Sequence, residues 1–414
     1  MQERTVHAST APIRRTWYWT FACFLAMCGT TGWLHATRGW HRLGVPPIGP
    51  DRPPFSDAYA QLVTADACLA GAGTWIERVC FLPSIDVLPH SQSYEPWLGF
   101  SRLGLGHGQY VAVGWCMVVA FYLATCLLFR PSTWRTGTVL LMLMLSPAVQ
   151  LAVERANFDL LMATLLVASG WLLSRGRLSS SMLACALLGF GTTLKIYSGL
   201  GTLFAWLASA PAHRRAVMIA SAIACLLAVA VLGPANILVL GQGAPEGATR
   251  FSTGAHLTFD RYGGVGGSLV VAAALASCAW ISRSIAMRGL RLDQVVLRSP
   301  EASVFTLSWL TAIPLFLLKD SYDYRLVLWL PMLALAMRLA RSGASPAGSL
   351  GKAMLASFAF AAFVELACGL ADTSASPEWV EGALVVGKHL GMWLEVFAST
   401  TLLFALLRSN LRPG

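Results

Sequence analysis

The sequence predicts an all-α, polytopic membrane protein of about twelve transmembrane helices, with a further helix lying on the membrane surface in its first outer loop. Three observations carry this. Of 414 residues 56% are hydrophobic and only 12% charged, whereas a soluble domain holds about a quarter of its residues as charges. Apolar runs of near-spanning length recur along the whole chain. The basic residues behind the net charge of +10 stand between these runs, which is the pattern of membrane topology rather than of a nucleic-acid surface.

Residues 1–16 read as a basic, disordered cytoplasmic tail, and 17–412 as one transmembrane domain. Trp17–Trp33 is long enough to remain as an anchor and no A-x-A-like cleavage site follows, so no cleavable signal peptide is expected. The apolar runs lie near 17–36, 109–129, 136–153, 158–174, 179–194, 196–210, 215–233, 265–286, 301–318, 324–340, 352–371 and 382–406. Reading 179–194 and 196–210 as one kinked helix leaves eleven spans and reverses everything downstream.

The longest outer segment, 37–108, opens with PPIGPDRPPFSDAY, which favours extended and turn structure before a helix near Ser56. Ser56 suits an N-cap. Tyr59, Leu62, Val63, Cys68 and Leu69 give an incomplete apolar face ending at Gly71 and Gly73, the pattern of an interfacial helix. The second outer loop, 234–264, has the composition of a flexible cover over a site and carries His256, a candidate cavity residue.

With a cytoplasmic N-terminus, 18 of the 30 Lys and Arg mark inner loops and flanks, and both termini lie inside. Only Glu3, Asp293 and Glu301 of the 20 acidic residues join them. Such segregation points to chemistry at the outer face. Eight of ten cysteines sit in apolar stretches as small core residues. Cys68 and Cys80 lie in the outer loop, where an oxidising compartment permits a bridge but spacing alone leaves the pairing open.

Four polar features interrupt the apolar pattern, and charges at a bilayer usually mark a cavity, a pathway or a partner. Glu154-Arg155-Ala156-Asn157-Phe158-Asp159 is either a tight turn with compensating charges or the floor of a headgroup site, with Arg155 offered to a phosphate. Lys195, between GFGTTL and IYSGLG, either snorkels from a helix end or neutralises a lipid-linked phosphate. Lys319-Asp320-Ser321-Tyr322-Asp323-Tyr324-Arg325 offers charged groups to a substrate, while Tyr322 and Tyr324 also fit plain interfacial aromatics. Asp57, at the start of the surface helix, either supports that start or takes the proton of an attacking hydroxyl. No phosphate-cradling G-x-x-x-x-G-K-[ST], H-E-x-x-H, C-x-x-C pair or haem-attachment motif is present.

The stretches SPAVQLAVERANFDLLMATLLVASGWLLSRGR (146–177) and LGFGTTLKIYSGLGTLFAWL (188–207) resemble the membrane glycosyltransferases of family 87, within the GT-C superfamily. A Pro-containing span, a turn like G-N-x-D, a basic inner loop and a span ending in Lys-x-(Tyr/Pro) are matched by Pro147, Asn157, Asp159, Arg175, Arg177, Lys195 and Tyr197. DAYAQLVTADACLAGAG, with Asp57 and Tyr59, and DYRLVLWLPMLAL (323–335) extend the resemblance. Ala156 stands where the family often has Gly, Ser198 or Gly199 where it often has Pro, and PPIGPDRPP is an insertion.

The resemblance implies a GT-C-like fold in a bacterial inner (plasma) membrane. It also implies transfer of a sugar, commonly mannose or arabinose, from a polyprenyl-phosphate donor to a lipid or glycan acceptor at the outer face. Asp57 would act as base, and Arg155, Lys195, Lys319 and Arg325 would hold the phosphate. Tyr59, Glu154, Asn157, Asp159, Tyr197, His256, Tyr322 and Tyr324 would line the cavity. One base opposite the leaving group implies inversion. No cofactor and no nucleic-acid partner are expected, and without a D-x-D in the first loop nothing argues for a divalent metal. Two rivals are a secondary transporter or lipid-sugar flippase and a non-catalytic scaffold. A transporter would favour midplane sites and internal repeats, whereas here the polar residues gather at outer ends.

Overall fold

The computed structural model describes residues 11–43, 45, 54–70, 99–232, 252–253, 264–290, 292–318, 321–341, 345–373 and 378–411. Over these the chain is helical apart from one antiparallel pair of two-residue strands, β1 (Ser252–Thr253) and β2 (Ser321–Tyr322), with Ser252 opposite Tyr322. The principal helices are α1 (Ala11–Thr37), α2 (Ser56–Ala70), α3 (Tyr110–Phe129), α4 (Trp134–Met144), α5 (Pro147–Arg155), α6 (Asp159–Ser174) and α7 (Leu178–Leu194). They continue with α8 (Arg214–Leu232), α9 (Gly264–Arg288), α10 (Pro300–Leu318), α11 (Met332–Ala340), α12 (Pro346–Thr373) and α13 (Glu378–Leu411). Residues 11–16, expected in the tail, belong to α1.

Four helical stretches among the described residues are long and apolar enough to cross a bilayer: His107–Phe129, Pro211–Leu232, Pro346–Val364 and Gly382–Ser409. A fifth results if α4 and α5 form one bent span. The chain is a helical membrane protein. The outward face of α8 fits this environment, since Ile219, Ile223, Leu226 and Leu227 are all exposed, an arrangement that water disfavours and lipid accepts.

Three of the expected spans are broken, each for a legible reason. The run 136–153 bends by 61° between α4 and α5, because Pro147 opens the second helix at its first turn and lacks the N–H that would continue the first. The run 196–210 divides into 3-10 turns at Ile196–Ser198 and Ala205–Ala208 around a short helix, Gly199–Leu203. Side chains satisfy part of the freed backbone there, Ser209 Oγ donating to Trp206 O at 2.8 Å and Cys225 Sγ of α8 to Gly199 O at 3.4 Å. The run 324–340 becomes a 3-10 segment, Asp323–Leu328, followed after Pro331 by the nine residues of α11.

The bundle core pairs α6 with α10 and α7, α12 with α11 and α13, and α8 with α7. Gly170 permits the first contact: a Cβ there would stand 2.7 Å from both the Cα and the N of Val304. Small residues let membrane helices approach closely, which replaces the missing hydrophobic drive with dispersion contact.

Candidate functional site

The segment that leads into α2 and the α5–α6 turn are locked together by backbone before any side chain is considered. Phe55 N donates to Glu154 O at 3.1 Å, and Phe55 itself adopts a left-handed backbone, φ 56°. Its ring holds that conformation: it is buried against His35, with ring centroids 4.4 Å apart, and Trp115, at 5.6 Å. Gly114 makes room, since a Cβ there would lie 2.5 Å from the Phe55 ring. Ser56 is thus the first helical residue of α2 and not its cap, and Asp57 falls in the first turn.

On the facing element, α5 ends through Ala156, also left-handed at φ 45°, a position that glycine enters at less cost. Asn157 then bridges two partners. Its Oδ1 accepts from Asp159 N at 2.9 Å, which starts α6, and its Nδ2 donates to Asp57 Oδ2 at 2.6 Å. Among the described residues Asp57 Oδ1 takes no hydrogen bond. Glu154 is buried beside this pair, its carboxyl within the field of Arg155 and Asp57, and its Oε2 has no hydrogen-bond partner among the described residues.

Asp159, fully buried, gathers the rest. Tyr197 OH donates to Asp159 Oδ1, and Arg325 Nε stands 3.9 Å from Oδ2. The Arg325 guanidinium also lies 5.9 Å from the Tyr197 ring centroid. Lys195 occupies the extended joint after α7, and its ammonium interacts with the charges of Asp159, Arg325 and Asp57. Residues from α2, the α5–α6 turn, the joint after α7 and the 3-10 segment before α11 therefore meet in one polar cluster. Such a cluster can hold an anion against Lys195 and Arg325 while presenting a carboxylate oxygen to a hydroxyl.

Not every expected cavity residue joins it. Tyr59 stacks edge-on against Tyr110 of α3, with centroids 5.1 Å apart, because positions two apart on a helix point to different faces. His256 and Lys319 lie outside the described residues. So do Cys80 and the side chains of Cys68, Tyr322 and Tyr324, so the Cys68–Cys80 pairing falls there too.

Sequence reasoning missed two polar contacts. Asp66 of α2 accepts from Ser101 Oγ at Oδ1 and from His107 N at Oδ2, 2.7 Å away, with His107 Nδ1 2.6 Å from the same oxygen. Burial pushes this carboxyl up, but the hydrogen bonds from Ser101 and His107 outweigh it and hold Asp66 below the usual aspartate value. The second is Glu395 of α13, fully buried, which accepts from Ser357 Oγ of α12 at 2.6 Å. A lone acid within the run 382–406 is a signal that could have found it. Among the described residues no three His, Cys, Asp or Glu side chains gather as metal ligands.

No family model, no curated protein and no solved structure matches the chain.

Proposed function

We propose that the chain is an inverting membrane glycosyltransferase of the GT-C type, with about twelve spans, cytoplasmic termini and its site at the outer face of a bacterial inner membrane. It moves a mannose-like or arabinose-like sugar from a polyprenyl-phosphate donor to a lipid or glycan acceptor. The observation that carries this reading is the Asn157–Asp57 hydrogen bond, which draws the outer-loop carboxylate into the cluster of Asp159, Tyr197, Arg325 and Lys195.

In this mechanism Asn157 fixes Asp57 through Oδ2, and Oδ1 receives the acceptor hydroxyl's proton. The acceptor oxygen forms its bond to the anomeric carbon as the bond from that carbon to the phosphate oxygen breaks. The departing polyprenyl phosphate keeps the bonding electrons, and Lys195 and Arg325 stabilise its charge. Asp159 holds Arg325 and Tyr197 in place, so the guanidinium is oriented before the donor arrives.

The test is sugar transfer in membranes supplied with a panel of polyprenyl-phosphate sugars, comparing wild type with Asp57→Asn at matched expression. The expected loss is about 10²- to 10⁴-fold, the usual worth of general base catalysis. Near-normal turnover in Asp57→Asn removes the base assignment. Absence of transfer from every donor by folded wild-type protein with suitable acceptors present moves the reading to a transporter or a non-catalytic role.

A further inference from the structure

At the opposite end of the same helices lies a cavity of about 740 Å³, within the size range of small-molecule sites. The separation follows from α6, which begins at Asp159 in the cluster described above and ends at Leu173 and Ser174 on the cavity wall. A helix of that length spans about 24 Å at 1.5 Å per residue, so the two sites stand roughly a hydrocarbon core apart.

The walls are mixed in chemistry. Leu173, Leu207, Leu297 and Leu406 supply apolar lining, while Arg214, Arg298, Gln294, Ser174, Ser209 and Ser409 supply polar lining. The hydroxyls closest to the helix core are already committed: Ser303 Oγ donates to Ala208 O at 2.9 Å and Thr306 Oγ1 to Ala302 O at 3.0 Å. Arg214 and Arg298 are the cationic groups of the lining, and each guanidinium carries five N–H donors in a planar fork that suits a phosphate. Their frame is tied, since His213 Nε2 lies 2.9 Å from Gly176 O, joining the α6–α7 turn to the segment before α8.

Charge on this end is mostly basic. Arg175, Arg177 and Arg215 follow or precede lining residues in sequence. Two acids also adjoin the lining, Asp293 beside Gln294 and Glu301 beside Ala302, and Glu301 is engaged by Arg338 Nη1 at 3.0 Å. Beyond the cavity the exposed apolar face of α8 begins at Met218 and Ile219. A ligand with a phosphate at Arg214 and Arg298 and hydrocarbon along Leu207 and α8 satisfies all of these surfaces at once.

We infer that this cavity is a binding site for the phosphate headgroup of an anionic glycerophospholipid from the arginine-rich leaflet, separate from the site at Asp57. Its occupancy does not depend on the transfer reaction. A bound lipid there wedges among the α6–α7 turn, the start of α10 and the end of α13.

The experiment uses the full chain in nanodiscs of phosphatidylcholine with phosphatidylglycerol, released into native mass spectrometry to count retained lipids. Wild type is expected to keep phosphatidylglycerol, and Arg214→Ala/Arg298→Ala to keep it about tenfold more weakly, the loss of one charge-assisted contact or more. Arg214→Lys/Arg298→Lys keeps the charge and should restore most of the retention. Ala212→Trp leaves both arginines, narrows the exposed rim and should also lose lipid, while its thermal unfolding should match wild type. Equal retention in wild type, the double alanine variant and Ala212→Trp overturns the site. Inorganic phosphate is the second arm: competition by phosphate supports headgroup recognition, whereas phosphate binding with no lipid retained overturns the lipid assignment in favour of a soluble anion.

Discussion

Asn157 Nδ2 donates to Asp57 Oδ2 at 2.6 Å, across a separation of 100 residues in the chain. The same amide accepts from Asp159 N through Oδ1 at 2.9 Å. One side chain thus sets both the start of α6 and the position of the carboxylate on α2. An Asn suits this task because it alone among small side chains offers a donor and an acceptor in a fixed plane.

Asn157→Ala should therefore lower transfer by about tenfold to hundredfold through misplacement of Asp57, mainly in kcat with KM little changed. Asn157→Asp should fall further, because two carboxylates would meet where an amide now donates. Steady-state transfer with the active donor checks both. Wild-type kcat in Asn157→Ala would show that Asp57 needs no such positioning.

Much of the helical framework was legible because its signal is local. The runs 158–174 and 179–194 are bounded by polar or basic residues, and the corresponding helices are Asp159–Ser174 and Leu178–Leu194. The breaks were harder, because composition stays apolar through Pro147, Gly199 and Pro331 while the backbone does not stay helical. Asp57, Asn157, Asp159, Lys195, Tyr197 and Arg325 were each visible as polar residues at the ends of apolar runs. Their partners were not, since Asp159 meets Tyr197 and Arg325 only through tertiary packing. Tyr59 shows the converse: its proximity to Asp57 in sequence says nothing of direction, and it turns to Tyr110.

The contact of α6 with α10 gives a prediction about stability alone. A Cβ on Gly170 would meet Val304 Cγ2 at 2.5 Å and the Val304 backbone at 2.7 Å. Gly170→Ala should lower stability by about 1–3 kcal/mol, the usual result of overpacking, and thermal unfolding of the purified protein measures it. Trimming the neighbour should restore only part of the loss. Val304→Ala removes Cγ2 but leaves Cα and N, so the double variant should remain below wild type; full recovery would place the clash in the side chain alone.

The Asp66 contact predicts a response to acid at α2. Its carboxyl is held below the usual aspartate value because Ser101 and His107 bond to the ionised form more strongly than burial opposes it. A carboxyl lowered in the folded state contributes stability above its unfolded pKa, about 3.9. That contribution is lost as pH falls through the folded value. Asp66 joins α2 to the segment before α3, so its protonation should loosen this tie without melting the bundle. The contact is partly open to water, with 29% of the Asp66 side chain exposed, so screening limits its worth to about 1 kcal/mol or less. Hydrogen exchange at the His107 amide, which donates to Asp66 Oδ2 at 2.7 Å, reports the tie directly. After correction for intrinsic rates, protection should fall as the pH drops below about 3.9 and should be low at every pH in Asp66→Asn. Equal protection in wild type and Asp66→Asn at neutral pH would show that the carboxylate does not hold the loop.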